Sequence, residues 1–546
     1  MAELPDVIVV GSGPSGAIAA STLVRQGLRV LMVDVGNDDA AGRAQVPDRS
    51  FPEVRASDAT QRAYFLGLEG QGIPKSDVKV GAQLTPPRQF LTTGADQSLP
   101  YTSDSFFPMQ SLALGGLGAG WGAAAFSFSE AELKRCGIFE PEFSRHYDQV
   151  ISEIGVSADV SSDARPHLLP GVTETGLQPP LEVDSNARQL LGAYRARREK
   201  LNRAGLFFGK SPLAVLSRDL GERRANPYFD MDFWSDSRGS VYRPRYTIEA
   251  LRRAPGFEYR GGLLAVQFAQ VSGGVELKCV EPASGNYVTV TGRRLLLCAG
   301  SINSARLALH SLGLENHKAP ILCNPYTYIP TINLGMLGKP ADDSRHSLAQ
   351  LCGAYLPEDD REDLLSFQMY SYRSLLLFKL VKELPLPPAA GLMVARLVCN
   401  SLAIFGVHHS DSPDASNWLR LGKPTASGLP SLEFHYAPST ELTAKRQRRE
   451  RGLKKLLLRM GCVPAGPVHP GHAASIHYAG TIPNSETAAP LTSRADGRLH
   501  GVDNVWVGDS ASWKSLPAKG LTLTIMANAA RVATHLAEEL RRSEAP

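Results

Sequence analysis

The sequence of 546 residues predicts an α/β protein whose parallel sheet is assembled from both ends of the chain. Near the N-terminus, two short β-branched runs, Val7 to Val10 and Val30 to Val33, flank a glycine-rich turn and a helical pattern. The stretch from Gly501 to Ala530 is again apolar and rich in small residues, and we expect it to return to the same domain. Because 43% of the residues are hydrophobic and 21% are charged, the composition excludes a disordered chain and allows two or more domains.

The turn GSGPSG, at Gly11 to Gly16, completes a βαβ fingerprint for dinucleotide binding. Gly11 allows the tight turn, Gly13 lets the backbone approach a pyrophosphate, and Gly16 permits close packing of the helix on the strand. The N-terminus of the helix offers unpaired N–H groups to phosphates. Asp34, at the end of the second strand, is placed to accept a hydrogen bond from a ribose hydroxyl, and an acid here argues against a 2′-phosphate. The sequence therefore predicts a Rossmann-like nucleotide-binding domain.

The charge and the cysteines of the chain favour a cytoplasmic protein with no nucleic-acid partner. The net charge is only +4, and the basic run from Lys445 to Arg451 is more typical of a solvated helix face than of a nucleic-acid site. The seven cysteines have neither paired nor metal-like spacing, and the first strand begins within a few residues of Met1 without an apolar leader. Both features suit a reducing compartment.

Two unusual segments separate the fingerprint from the middle of the chain. Residues 43–105 are polar and interrupted by Pro and Gly, so we expect a long excursion from the sheet that covers the cofactor. Ser111 to Phe126, SLALGGLGAGWGAAAF, suits a backbone that lies against a flat ring system, although a buried turn or a tight helix-packing segment has the same pattern. From Phe257 to Leu312, strand patterns, the turn Ala299-Gly300-Ser301 and a helical pattern return to the nucleotide domain.

Five motifs occur in an order that resembles the glucose–methanol–choline (GMC) oxidoreductase family, flavoenzymes that mostly oxidise alcohols. The match covers both ends and the middle of the chain, whereas residues 320–475 match the family poorly. The motifs are GSGPSG with Asp34, GGLGAGWG, LLLCAGSINSARLAL at Leu295 to Leu309, HYAGT at His477 to Thr481, and VDNVWVGDSASW followed by LTLTIMANA.

This resemblance implies an α/β, Rossmann-like FAD-binding domain of the GMC and p-hydroxybenzoate-hydroxylase type, formed by residues 1–319 and 476–546. Residues 320–475 would form a second, α+β substrate domain built on an antiparallel sheet. The resemblance also implies cofactor contacts for four groups of residues. The ADP half of FAD would meet Gly11, Gly13, Pro14, Ser15, Gly16 and Asp34, and the adenine side Val266, Ala299, Gly300 and Ser301. The isoalloxazine would lie beside Leu114, Gly115, Gly116, Gly118, Ala119, Gly120, Trp121 and Gly122, and the ribityl and pyrimidine near Gly508, Asp509, Leu521 and Thr522.

Oxidation of an alcohol needs a base that takes the hydroxyl proton while hydride leaves the adjacent carbon, and a histidine suits this near neutral pH. By resemblance, His477 is that base or a proton carrier. Where the family carries a second His or Asn, this chain has Gly520, which offers no side-chain donor. The second hydrogen bond is therefore missing or comes from a neighbour such as Lys519, Lys514 or a group of the substrate domain. Gly120 stands where some relatives attach the flavin to a histidine, so we expect noncovalent FAD.

Residues 374–407 are apolar in two runs, Leu375 to Val381 and Ala389 to Val407, with a Pro-rich link between them. Arg396 inside the second run argues against a membrane span. We expect buried core helices, with the lining of an apolar pocket or a peripheral contact with a lipid surface as the alternative.

Two other chemistries lack support in the sequence. His408 and His409, with Asp411 nearby, do not make a metal site, because adjacent histidines point in different directions and no further ligand cluster follows, so no metal is expected. Ser510 and Ser512 lack the nucleophile-elbow pattern of hydrolases.

The sequence thus predicts an FAD-dependent oxidoreductase that acts on the hydroxyl group of a small organic molecule, such as a lipid, a natural product or a sugar. One alternative is a biosynthetic flavoenzyme for desaturation, isomerisation or cyclisation without net alcohol oxidation, which Gly520 favours. A second alternative is a flavin-binding protein without catalysis. The expected electron acceptor is oxygen, a quinone or another protein.

Overall fold

The computed structural model of the chain describes residues 4–38, 46–65, 67, 86–228, 238–341, 345–358, 360–371, 386–425 and 428–544. No helix in these ranges has the length and apolarity needed to cross a membrane. The α-helices are Pro14–Arg25, Phe51–Ser57, Gln61–Phe65, Ala95–Ser98, Glu130–Cys136, Ser144–Ile154, Arg165–Leu168, Ser185–Arg195, Arg198–Arg203, Pro244–Leu251, Ser301–Ser311, Pro388–Val398, Thr440–Arg459 and Thr522–Glu544. Short 3₁₀ helices are Pro86–Leu91, Gly116–Gly120, Leu334–Met336, Cys399–Ser401 and Ser510–Ser512.

A five-stranded parallel sheet, here called the nucleotide sheet, joins the two ends of the chain. Its strands, in spatial order, are Val505–Val507, Arg294–Leu297, Val7–Val10, Val30–Val33 and Phe257–Arg260. The three central strands are buried on both faces, which explains their continuous apolar sequences. The predicted Rossmann-like domain built from both ends of the chain is confirmed.

A six-stranded antiparallel sheet, here called the substrate sheet, forms the second layer of the molecule. Its strands, in spatial order, are Cys462–Pro464, Tyr326–Asn333, Leu402–His408, Leu365–Ser371, Leu351–Tyr355 and Leu206–Lys210. The predicted second domain with an antiparallel sheet is therefore confirmed as a fold class. Its boundary at residue 320 stays a prediction, and the edge strand Leu206–Lys210 comes from the part assigned to the FAD-binding domain.

Smaller sheets connect these two layers. They comprise Tyr287–Gly292 with Gly274–Val280 and Leu264–Val271, Ala319–Pro320 with Trp418–Leu421, Leu432–His435 and Tyr101–Thr102, Leu322–Cys323 with Tyr478–Ala479, and Val156–Ser157 with Leu177–Gln178. The pair of Leu322–Cys323 with Tyr478–Ala479 is short but important, because it brings the HYAGT motif against the start of the substrate sheet.

The C-terminal helix Thr522–Glu544 packs on the fingerprint helix Pro14–Arg25. Ala17, Leu23, Val532 and Leu536 belong to one fully buried apolar cluster that covers this face of the nucleotide sheet. The last helix therefore stabilises the turn that precedes the first one.

The apolar run Ala389 to Val407 differs from the expected buried helices. It forms the helix Pro388–Val398 and then the central strand Leu402–His408, because the β-branched and aromatic residues after Cys399 pair with two neighbouring strands. In the helix, Met393 is 74% exposed and Leu397 is 54% exposed, so this part is not plain core. The first run, Leu375 to Val381, lies outside the described residues.

The basic run Lys445 to Arg451 lies on the helix Thr440–Arg459, as predicted, but it is not simply a solvated face. Arg449 is buried, and its guanidinium lies 2.7 Å from Asp360 Oδ2 and 3.0 Å from Asp363 Oδ2. Lys445 Nζ lies 2.6 Å and 3.2 Å from the same two carboxyl groups. These ion pairs use two of the five basic residues of the run within the fold.

Candidate active site

A cavity of about 560 Å³ lies between the nucleotide sheet and the substrate sheet. It begins at the fingerprint turn and extends past the glycine-rich segment and His477 to the substrate sheet. Most residues of the predicted site line it: Gly11, Gly13, Pro14, Ser15, Asp34, Gly116, Gly118, Gly120, Trp121, Gly122, Ala299, Gly300, Ser301, His477, Asp509, Gly520, Leu521 and Thr522. Residues from both ends and the middle of the chain thus meet in one place.

The fingerprint turn has the geometry that a pyrophosphate requires. A Cβ atom on Gly16 would lie 1.9 Å from Gly11 O, so only glycine lets the helix begin this close to the strand. Gly13 is the N-cap of the helix, and a Cβ atom there would meet nothing within 4 Å. The turn therefore leaves open space in front of the first N–H groups of the helix, where phosphate groups bind.

Asp34 ends the second strand and faces the same cavity. The Ser12 hydroxyl donates to Asp34 Oδ2 and accepts from the N–H of Gly115 at 2.9 Å. Desolvation by the surrounding protein raises the pKa of Asp34 to about 7, against the opposing effect of the hydrogen bond from Ser12. A ribose hydroxyl would add a donor to this poorly solvated carboxyl group, so the residue fits the nucleotide.

The glycine-rich segment lies directly over the fingerprint turn. A Cβ atom on Gly118 would lie 2.6 Å from Pro14 Cγ, so the two backbones approach closely. Two guanidinium groups hold the end of the segment: Arg88 donates to Gly120 O, and Arg243 Nη1 donates to Trp121 O at 2.6 Å. These bonds fix the C-terminal end of the 3₁₀ helix Gly116–Gly120 along the cavity wall.

The other side of the nucleotide site is built from the remaining three family motifs. Ser304 donates to Asp509 Oδ2 at 2.6 Å and the N–H of Ala511 donates to Oδ1 at 2.9 Å, while burial raises the pKa of Asp509 to about 6. Thr481, the last residue of HYAGT, donates to Ser301 O at 2.7 Å. The three motifs are therefore joined to one another by buried hydrogen bonds.

His477 is held in one tautomer by Asn324. The Asn324 amide donates through Nδ2 to His409 O at 2.7 Å and to Pro517 O at 2.9 Å. Its Oδ1 must then face His477 Nδ1, at 2.9 Å, and an oxygen there can only accept. His477 therefore carries its hydrogen on Nδ1, which leaves Nε2 with a free lone pair. Removal from solvent lowers the pKa of His477 to about 4, so the ring is neutral at physiological pH.

Some predicted residues lie behind the cavity wall. Gly16 packs on the fingerprint strand, Gly508 approaches the Cys298 thiol, and Val266 belongs to an apolar cluster with Leu112. Three residues of the glycine-rich segment itself, Leu114, Gly115 and Ala119, do not line the cavity. Leu114 belongs to a buried apolar cluster, and Gly115 packs near Ala119.

The expectation that Lys519 replaces the missing donor at Gly520 is not supported. Its ammonium lies 2.7 Å from Glu132 Oε2 and donates to Ser127 O at 3.1 Å. The residue is 1% exposed and does not line the cavity. A buried ammonium needs these partners for its own charge, which removes it from substrate binding.

Sequence reasoning missed the residues that close the cavity opposite the nucleotide. They are Tyr326, Tyr328, Gln368, Tyr370, Ile404 and His408. All six lie in strands of the substrate sheet, where no motif marked them, and only the strand pairing places them together. The alternation of inward and outward residues along these strands was the one available signal.

Within the described residues, no group of three or more His, Cys, Asp or Glu side chains has the geometry of a metal site. His408 lines the cavity, whereas His409 Nε2 lies 3.2 Å from Glu450 Oε1. Asp411 accepts from Tyr436 Oη at 2.7 Å and from the N–H of Cys323 at 2.8 Å. The three residues thus point to three different partners.

Known proteins resemble the chain over nearly its whole length. Residues 5–49 match an FAD-binding domain family. The chain is 23% identical to paromamine 6'-oxidase of Streptomyces fradiae and 25% identical to 6'''-hydroxyparomomycin C oxidase of Streptomyces lividus, each over 98% of this chain and 92% of the relative. Over nearly its whole length, the chain is thus distantly similar to members of the GMC oxidoreductase family. The fold of the chain also resembles the crystal structure of pyridoxine 4-oxidase from Mesorbium loti, with a TM-score of 0.53, 14% identity and coverage of 97% and 98% of the two chains.

The matched domain family binds FAD, and the residues of the nucleotide side fit this cofactor. The open space at Gly13 leaves room for the pyrophosphate of an adenine dinucleotide. The helix N-terminus offers N–H donors to it, and the poorly solvated Asp34 offers an acceptor to the ribose. The predicted resemblance to the GMC family, the FAD cofactor and the enzyme class are confirmed, and the mode of FAD attachment stays a prediction.

Proposed function

We propose that this protein oxidises a hydroxyl group of a neutral, apolar or amphiphilic small molecule, such as a natural product or a lipid-like alcohol, to the corresponding carbonyl. The observation that carries the proposal is the orientation of His477, whose Nδ1–H is engaged by Asn324 and whose Nε2 is left as an acceptor. FAD supplies the hydride acceptor when it is bound. His477 Nε2 takes the hydroxyl proton, and the carbonyl forms as the adjacent carbon loses hydride, so the alcohol gives up two electrons and two hydrogens in total.

The electrostatics of His477 support this role. Because burial lowers its pKa to about 4, the ring is in its proton-accepting form throughout the neutral range. The fixed tautomer means that no reorganisation is needed before proton transfer, which is the advantage of a preorganised base.

The chemistry of the cavity wall that the substrate sheet forms supports a neutral substrate. Among the described lining residues, the carboxyl groups are Asp34 and Asp509, and both lie on the nucleotide side. The wall from the substrate sheet offers phenol hydroxyls and an amide, from Tyr326, Tyr328, Tyr370 and Gln368, beside the apolar Ile404. Such a wall suits a molecule with hydroxyl groups and flat or apolar faces.

Noncovalent attachment of FAD is part of the proposal. Gly120 stands where some relatives carry the flavin-linked histidine, and a Cβ atom there would lie 2.3 Å from Leu91 Cδ1, so any side chain would have to displace Leu91. The electron acceptor is proposed to be oxygen, and the two relatives named as oxidases support this. A quinone or an acceptor protein remains the alternative.

Gly520 favours a second candidate function. A family member without the second His or Asn has weaker means to orient a hydroxyl group, so a desaturation, isomerisation or cyclisation on the flavin is the alternative. A flavin-binding protein without catalysis is the third hypothesis.

The deciding experiment is anaerobic. Purified holoenzyme is mixed with sugars, sterols, fatty alcohols, aromatic alcohols, paromamine and pyridoxine, and the visible band of oxidised FAD is followed. Bleaching by an alcohol is expected, with aromatic or amphiphilic alcohols fastest, and peroxide formation in air identifies oxygen as the acceptor.

The flavin of His477→Gln should bleach at least about 100-fold more slowly than that of the wild type, the lower range for loss of a general base. His472→Gln, a change outside the cavity lining, is the matched control. A band that no alcohol bleaches contradicts the proposal.

A further inference from the structure

We propose that His408, from the substrate sheet, is a second catalytic histidine that donates the hydrogen bond Gly520 cannot supply. This inference rests on the proposed oxidation of a hydroxyl group. It assigns to His408 the contact with the substrate oxygen that the family normally makes from the position of Gly520.

The backbone of His408 is rigidly placed. His408 ends the strand Leu402–His408, which lies inside the substrate sheet and pairs with Tyr326 on one side and Ser366 on the other. The side chain is 5% exposed and lines the cavity. A group that touches substrate benefits from this support, because strand pairing on both sides limits its movement.

The two histidine rings are arranged to share one oxygen atom. The ring of His408 stacks on that of His477 with centroids 4.8 Å apart and an angle of 16° between the planes. At this separation, one hydroxyl oxygen can lie within ordinary hydrogen-bond length of a nitrogen from each ring. The ring of Tyr326, 4.5 Å from that of His408, covers the other side.

His408 has an unused polar atom. Its Nδ1 is buried and has no hydrogen-bond partner among the described residues. An unpartnered buried polar atom destabilises the fold, so it is retained where a ligand satisfies it. The substrate hydroxyl is the polar group that the cavity would bring to this position.

The protonation states give the two rings complementary roles. Burial, followed by the neighbouring His477 and His409, moves the pKa of His408 well below its ordinary value, so the ring is neutral and retains one N–H. His477 already uses its N–H on Asn324 and can only accept from the substrate. One histidine thus takes the hydroxyl proton, and the other donates to the oxygen on which negative charge develops.

Space at Gly520 allows a direct test. A Cβ atom there would lie 3.4 Å from Phe126 Cδ2 and 3.7 Å from Ala124 O, which are near-ordinary contacts. The backbone of Gly520 is not in the left-handed region. The family's side chain can therefore be restored at this position in a variant.

The experiment compares anaerobic flavin reduction by the best alcohol in His408→Phe and His408→Asn holoenzymes. Phenylalanine keeps the stacked ring without a donor, and asparagine keeps a donor without the ring. We expect H408F to lose about 100- to 1000-fold in the reduction rate, as for loss of one donor to a developing oxyanion. H408N should be at least about tenfold faster than H408F, and H408F/G520N should recover part of the loss. His472→Phe, the same substitution outside the cavity lining, is the control for folding and FAD retention.

A wild-type rate in H408F overturns the inference and leaves the proposed function intact. Equal losses in H408N and H408F without recovery by G520N also overturn it, because a packing role would behave in this way. If no alcohol reduces the wild-type flavin, the proposed function fails. A crystal structure of the holoenzyme soaked with 2,2,2-trifluoroethanol then tests, without any turnover, whether His408 contacts a hydroxyl oxygen. Its oxygen should bridge ring nitrogens of His408 and His477, whereas binding to His477 alone, or elsewhere, contradicts the inference.

Discussion

At the scale of single residues, the side chain that determines the chemistry of His477 is Asn324. Two backbone carbonyls orient its amide, and the amide in turn determines which nitrogen of the histidine is free. HYAGT pointed to His477, but nothing in the sequence pointed to Asn324, which is 153 positions away and reaches the histidine only through strand pairing.

Replacement of Asn324 by Ala should allow both neutral tautomers of His477 to form. The fraction of molecules with an accepting Nε2 falls, and we expect kcat/KM to drop by up to about 100-fold, the lower range of general base catalysis. Stopped-flow flavin reduction measures this loss. The matched control is Asn417→Ala, since Asn417 is also buried and accepts from the N–H of Ala437 at 2.8 Å, whereas Asn324 holds His477. Equal kinetics in N324A and N417A would show that the tautomer does not matter.

The pKa of His477 predicts how activity and stability depend on pH. The acid limb of kcat/KM should lie near the folded pKa of about 4, because the base must be neutral. The folded pKa is below the unfolded value, so the contribution of His477 to stability is full above about pH 6.5 and is lost as the pH falls toward 4. Melting curves of wild type and His477→Gln at pH 7, 6, 5 and 4 measure this effect. The wild type should lose more stability than the variant over this range, and parallel curves would exclude the assignment.

At the scale of elements, the fingerprint strand, turn and helix were predictable because their contacts are local. Val7–Val10 and Val30–Val33 have the predicted bounds, and Gly11 and Gly16 of the turn occupy positions that only glycine fits. The run Ala389 to Val407 was not predictable in this way, because a continuous apolar sequence suits a helix and a buried strand equally.

Gly13 and Gly16 allow cofactor binding and folding to be separated. Gly16→Ala places a Cβ atom 1.9 Å from Gly11 O, so we expect loss of stability and of FAD together. Gly13→Ala meets no protein atom within 4 Å, so the fold should remain while the methyl group obstructs the pyrophosphate. Thermal melting and the FAD content after gel filtration are the two measurements. A G13A protein that retains FAD like the wild type would contradict the proposed position of the pyrophosphate.

At the scale of the whole molecule, buried polar contacts join segments that are hundreds of residues apart. Lys519, beside Gly520, pairs with Glu132 on the helix Glu130–Cys136, across 387 positions of sequence. Burial lowers the pKa of Lys519, while Glu132 opposes that shift. The pair therefore holds the C-terminal side of the cavity against its central segment.

Breaking this pair should destabilise the protein without removing a catalytic group. Lys519→Met leaves the Glu132 carboxylate buried and unpaired, which costs about 3–5 kcal/mol, and a lower melting temperature is expected. Adding Glu132→Gln should recover part of the loss and retain flavin reduction by the substrate. Lys134→Met removes an exposed pair on the same helix and is the control, with an effect of about 1 kcal/mol or less. A stable K519M/E132Q protein without flavin reduction would indicate that Lys519 is a catalytic residue.

By itself, the sequence determined the resemblance to the GMC family and the FAD-binding fold, and it singled out His477 as the candidate base, because these depend on short motifs whose residues are neighbours in the chain. Tertiary structure alone brought Asn324 and His408 to His477 and turned Lys519 away from the cavity toward Glu132. The physical reason is that a strand or loop fixes the direction of its side chains only after it has paired with partners far along the chain. For the same reason, the missing donor at Gly520 was visible in the sequence, and its proposed replacement was not.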